Sequence, residues 1–310
     1  MKDAARIAEL SKRHGIAGVA RVEAGNGELP RILIESRLCR AEVYLYGAQV
    51  TSWIPAGGDE VIFVSEQSHW QSGKPIRGGI PVCFPWFRGK PDDPQAPTHG
   101  FVRTREWRLE QIRREADDRV SVLMSVESDE ESRRWWPHEF RLEYLISVGE
   151  RLDLELTMHN RGGSELHFQE ALHTYFRVGD ITKTQVAGLN GVCFLDNRDE
   201  NREKSQEGDL AFSKQTDRAY VDATGDVDIV DAALHRRLVT EKSGSMSTIV
   251  WNPWSDGAAK LPDFGDDEWR GMLCVEAGNV LDQAVPLQGG ASHTMRVSLR
   301  REDWEPSNRG

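Results

Sequence analysis

The sequence predicts an all-β protein, a large antiparallel β-sandwich. Three observations point to it. Apolar and polar residues alternate over many short runs, the period-two signature of strands with one buried face. Two of these runs are joined by a link short enough for a hairpin turn. Nowhere do strands alternate regularly with long amphipathic helices, which counts against a parallel α/β fold. Many antiparallel strands with apolar inner faces are satisfied by packing sheet on sheet.

Residues 2–13 predict one short helix, with Ile7 and Leu10 offering a thin apolar face. The period then changes to two. Val43 and Leu45 alternate with Glu42 and Tyr44, and Val120, Val122, Met124 and Val126 repeat the pattern. Phe140, Leu142, Tyr144, Ile146 and Val148 predict a long strand. Leu152, Leu154, Leu156 and Met158 predict its partner across a turn at residues 149–151. Met295, Val297 and Leu299 alternate near the end. The acidic stretch 196–209 reads as a surface loop rather than a linker. The expected organisation is an extension over 1–20, one β-sandwich domain over 21–302 and a frayed tail over 303–310.

A chain of 310 residues can bury a substantial core without a disulfide or a structural metal. Its net charge of −11 argues against broad nucleic-acid binding, which needs a basic surface. It leaves room for a small anion held by a few local arginines. No segment reaches the length of a membrane span. The N-terminus carries charges throughout and does not read as a secretory signal. A cytoplasmic monomer acting on a small molecule is the expectation. Cys39, Cys83, Cys193 and Cys274 are scattered with no CxxC spacing, so they read as reduced buried thiols.

Three segments carry candidate chemistry. Residues 77–103, RGGIPVCFPWFRGKPDDPQAPTHGFVR, are too rich in Gly, Pro and aromatics for a helix. They hold Arg77, Arg88, His99 and Arg103 among apolar side chains. Arg77 precedes two glycines whose backbone can approach a ligand closely. Arg77 and Arg103 suit an anion, since a guanidinium fork makes paired charge-assisted bonds. Salt bridging within this acidic chain is the alternative. Residues 167–180, HFQEALHTYFRVGD, put His173 and Tyr175 on one strand parity, as a cleft wall or as a satisfied sheet histidine. Histidine suits general acid work because its ordinary pKa of about 6.5 leaves both proton states accessible. In GMLCVEAGNV, residues 271–280, Glu276 ends an apolar run. A desolvated carboxylate there becomes a better base, although a strand-end glutamate paired to a cation fits the same pattern. Trp70, Trp86, Phe87, Trp251 and Trp254 are equally suited to stacking on a sugar and to filling the core.

No GxGxxG before a helix, GxxxxGK[ST], HExxH or GxSxG occurs. Histidines and acids show no metal-ligand spacing. The chemistry that remains is cofactor-free acid–base work on a small polar substrate.

The segments LYGAQVTSW, RGGIPVCFPWFRG, THGFVRTREW, ALHTYFRVGD, QTDRAY, IVWNPW and CVEAGNV occur in this order. In that order they resemble the aldose 1-epimerase superfamily, and most of all its glucose-6-phosphate 1-epimerase (hexose-6-phosphate mutarotase) branch. The resemblance implies a galactose-mutarotase-type β-sandwich. It implies interconversion of the α and β anomers of a hexose 6-phosphate such as glucose 6-phosphate, with no cofactor and no metal. It implies His173 as acid and Glu276 as base, with Arg77, His99, Arg103 and Asp217 binding the sugar or its phosphate. Many relatives carry Gln before the His of HGF where this chain has Thr98, which bears on substrate preference. A mutarotase for other aldoses and a non-catalytic carbohydrate-binding sandwich are the alternatives.

Overall fold

The structure, a computed structural model, describes residues 2–305. Two large antiparallel sheets dominate it, one of nine strands and one of eight, with smaller four- and two-stranded sheets beside them. Alternation explains the nine-stranded sheet. Strands Phe140–Val148 and Arg151–Asn160 bury every second residue, as expected, and pair in register from Phe140 opposite Asn160 to Val148 opposite Leu152. Leu142, Tyr144, Ile146, Leu152, Leu154 and Leu156 are fully buried and join residues of the eight-stranded sheet in one apolar cluster. The outward parity carries ion pairs such as Arg296–Glu155 at 3.0 Å. One face is dry and the other wet, as an antiparallel sheet allows.

The N-terminal helix spans Lys2–His14. Its Ile7 is buried. The final strand, Ser292–Asp303, includes the first residue of the expected tail; residues 306–310 lie outside the described residues. Two expectations are corrected. Residues 196–209 are more than a loop. Cys193–Asp196 and Arg202–Ser205 pair as a hairpin at one edge of the eight-stranded sheet, anchored by buried Phe194 in the apolar core. Cys193, on that edge hairpin, is exposed, whereas Cys39, Cys83 and Cys274 are buried free thiols. Among the described residues, no helix is long and apolar enough to cross a membrane.

Candidate active site

The floor of the site is the eight-stranded sheet. Its central strand, Met272–Asn279, is buried on both faces. Leu273 and Val275 belong to the parity that packs into the core. Cys274 and Glu276 belong to the other. Directly opposed residues of paired strands point to the same face, so register shows what surrounds these two. One row across the sheet runs Asp217, Trp251, Cys274, Tyr175. The next runs Ala219, Ile249, Glu276.

The segment carrying His173 is broken into strands Glu170–Leu172 and Tyr175–Arg177. A single strand is the simpler expectation from its alternation. The break follows from pairing: the His173 N–H donates to the Pro81 carbonyl at 3.0 Å, away from the central strand. Both halves still pair with that strand in one unbroken register, Leu172 opposite Ala277 and Tyr175 opposite Cys274. His173 therefore falls opposite Glu276. Its Nε2 lies 3.4 Å from Glu276 Oε1, and both side chains are almost wholly buried.

Within residues 77–103, Val82–Cys83 joins the edge of this sheet; the turns around it, which carry Arg77, Phe87, Arg88 and His99, form the roof, and glycine makes them possible. Gly78 has φ +112, and a Cβ there would stand 2.5 Å from the Phe63 carbonyl oxygen. A Cβ on Gly100 would stand 1.8 Å from the Phe84 carbonyl oxygen. No other residue fits either position. Arg88 and His99 are held in left-handed backbone, φ 60 and 62, a conformation that costs about 1–2 kcal/mol per residue. Mutual bonds offset it. The His99 N–H donates to the Arg88 carbonyl at 2.7 Å, and the Arg88 N–H donates to His99 Nδ1 at 3.1 Å. An Nδ1 that accepts is unprotonated, so neutral His99 carries its proton on Nε2. Burial, with Arg103, His173 and the other arginines adding to it, holds His99 well below the usual imidazole range. It is thus a fixed neutral donor.

Between floor and roof lies a cavity of about 340 Å³. Five of the six residues nominated from sequence line it: Arg77, His99, His173, Asp217 and Glu276. Arg103 does not. It is half-buried, and its Nη2 donates to the Thr98 carbonyl at 2.8 Å, in the turn before His99. Of the five aromatics considered for stacking, Phe87 and Trp251 line the cavity. Trp70 packs on Tyr44, Trp254 on Trp269, and Trp86 donates to the Pro97 carbonyl. A hollow of about 680 Å³ on the wet face of the nine-stranded sheet is larger. Many of its charges are paired, as in Arg119–Asp153 at 2.8 Å, and its lining holds no histidine.

Sequence reasoning passed over three lining residues as ligands. Arg88 stands in the nominated loop, and its Nη2 donates to Asp217 Oδ1 at 2.9 Å. Asn197 donates to the other Asp217 oxygen at 2.6 Å from the hairpin read as a surface loop. Tyr175 stacks on His173, centroids 4.8 Å apart and planes 13° off parallel. Its hydroxyl accepts from Arg77 Nη1 at 3.2 Å. Arg77 Nη2 also meets buried Asp263 at 3.1 Å. The only advance signals were Arg88's place beside Phe87 and Tyr175's shared parity with His173.

Electrostatics divide the central pair. Burial, then Arg103 and Arg77, push His173 down to about 3. Burial, then the charge of Asp217, push Glu276 well above the usual carboxyl range. In the empty site their shared proton is favoured on the carboxyl, not on the imidazole expected from sequence. The reason is the two guanidinium groups near His173 and the burial of Glu276 beside the charge of Asp217.

A profile of the family described as "Aldose 1-epimerase" matches residues 30–300. This chain belongs to the aldose 1-epimerase family. A candidate glucose-6-phosphate 1-epimerase of Escherichia coli K12 is 35% identical over 277 residues, covering 88% of this chain and 92% of that protein. One of Cenchrus ciliaris is 34% identical, covering 86% and 83%. The crystal structure of a candidate mutarotase from Salmonella typhimurium superposes with a TM-score of 0.86 at 28% identity, covering 94% of this chain and 96% of that one. The β-sandwich expected from alternation is the architecture of these aldose 1-epimerase relatives.

Proposed function

We propose that this aldose 1-epimerase family member interconverts the α and β anomers of a hexose 6-phosphate, glucose 6-phosphate first, by ring opening and reclosure. The observation that carries the reading is His173 Nε2 lying 3.4 Å from Glu276 Oε1 on the floor of the cavity. A hemiacetal's two oxygens share one carbon, so a proton donor and acceptor this close can each meet one of them. One member of the pair takes the O1 proton while the other protonates O5. The open aldehyde turns about C1–C2, and reclosure on its other face reverses both transfers. Once the proton has passed from Glu276 to His173 across the 3.4 Å between them, Glu276 takes the O1 proton as base and His173 protonates O5 as acid. Neutral His99, Asp217 and Trp251 hold the hydroxyls and the sugar's apolar face, which keeps the open form in place.

Arg77 and Arg88 in the cavity, Arg103 beside it and the names of the relatives support a phosphate. One observation favours plain aldoses instead: Arg77 and Arg88 are each already paired to a carboxylate, Asp263 and Asp217. Exchange NMR of anomers decides between them. Catalysed exchange should be far faster for glucose 6-phosphate than for glucose at equal concentration. Arg77→Leu should lower kcat/KM for the phosphate by roughly 10- to 100-fold, the worth of a charge-assisted bond, and change that for glucose much less. Equal rates on both sugars would sink the phosphate assignment, and exchange on neither would sink the enzyme.

The pair also sets a pH dependence. It works while holding one proton. Below this window His173 gains a second proton and the pair cannot accept; above it Glu276 loses its proton and the pair cannot donate. The profile of kcat/KM should be bell-shaped, and residual activity of Glu276→Gln should lack the alkaline fall. A flat wild-type profile would contradict the assignment.

A further inference from the structure

The fold assembles a trio that sequence spacing does not show. One donor atom from each of His173, Cys274 and Glu276 lies within 4.8 Å of the others, and all three residues are buried. Glu276 Oε2 has no hydrogen-bond partner among the protein atoms. The cross-strand neighbours of Cys274, Trp251 and Tyr175, line the cavity, so its side chain is on the cavity side of the sheet, fully buried just beneath the lining residues.

An imidazole, a thiol and a carboxyl are together a donor set for zinc or cadmium. We propose that His173, Cys274 and Glu276 form a soft-metal site that takes zinc or cadmium from the cavity and switches the acid–base pair off. Zinc bonds of about 2.0–2.3 Å in a tetrahedron bring donors to roughly 3.5 Å of one another. The His173–Glu276 spacing is already 3.4 Å, so Cys274 makes most of the adjustment. Three protein ligands leave the fourth position open to the cavity, as in catalytic zinc sites. Binding forms three metal–ligand bonds and releases the Cys274 thiol proton, and the Glu276 proton where present, to solvent. Thiolate and carboxylate then cancel the ion's two charges, which limits its repulsion by Arg77 and Arg103.

Metal binding does not depend on the proposed reaction; only its inhibitory consequence does. The test uses the full chain with exposed Cys193 replaced by serine. Titrated with cadmium alone, it should develop the ultraviolet thiolate-to-cadmium absorption at one equivalent. Cys274→Ser and Cys274→Ala should each abolish that band, and Glu276→Gln should weaken cadmium binding at least tenfold. Zinc should block anomer exchange in the parent, and Cys274→Ser should raise the half-inhibiting concentration at least tenfold. No band in the parent, or an undiminished band in both Cys274 variants, overturns the site. So does zinc inhibition of equal potency with and without Cys274. A band in a protein that exchanges no anomers supports the site and counts only against the proposed reaction.

Discussion

Glu276→Gln and His173→Asn should each lower kcat for anomer exchange by about 10²–10⁴-fold, the contribution of a positioned acid or base to proton transfer. The substitutions are nearly isosteric, so the register that opposes the two residues is retained. Gln cannot take a proton from O1. Asn cannot deliver one to O5. KM should move little, because neither change removes Arg77, His99 or Asp217. The double variant should be no slower than the worse single one, since residues acting as one unit are not additive. Exchange NMR on purified variants with unchanged circular dichroism measures this. Either variant exchanging anomers at near the parent rate would remove that residue from the chemistry.

Arg236→Met should destabilise the fold by about 3–5 kcal/mol, the cost of leaving one member of a buried ion pair alone. Arg236 and Asp231 are both fully buried, with Arg236 Nε 3.5 Å from an Asp231 oxygen. Arg236 also donates to the carbonyls of Glu60, at 3.0 Å, and Arg177. It thereby ties the strand Arg236–Ser243 of the nine-stranded sheet to the end of Tyr175–Arg177 in the site sheet. Removing it leaves two carbonyls without that donor and a carboxylate without its counter-charge. Asp231 would keep the N–H groups of Gly179 and Leu234, at 3.0 and 3.2 Å, but no positive charge. Adding Asp231→Asn should recover part of the loss, because the uncompensated charge goes while an acceptor remains. Urea unfolding measures both, the midpoint falling with the slope unchanged. A midpoint shift worth less than about 1 kcal/mol would show that water reaches the pair.

Much of the frame was legible. The strands Phe140–Val148 and Arg151–Asn160 alternate so regularly that their inward faces could be named from sequence. His173 stood out because it shares a strand parity with Tyr175, and Glu276 because a carboxylate ending an apolar run implies desolvation. Less visible was the division of labour among arginines. Arg88 and Arg103 share one loop, and only the paired left-handed turns at Arg88 and His99 bring Arg88 to Asp217 while Arg103 braces Thr98. Asn197 was hidden because nothing in its own segment shows that the hairpin carries it to Asp217, where it stays exposed yet donates to that carboxylate. The trio of His173, Cys274 and Glu276 spans two strands, so no spacing along the chain reveals it.

Alternation is a property of neighbours in the chain, and from it the sequence alone determined sheets with one wet and one dry face, and which side chains point inward. Register is a property of pairings between distant segments. Only the folded sheet set His173 opposite Glu276, and only burial beside Arg77, Arg103 and Asp217 decided which of the two holds the proton. A carboxyl and an imidazole carry ordinary affinities for protons until water is removed and neighbouring charges are in place, and both of those are tertiary facts.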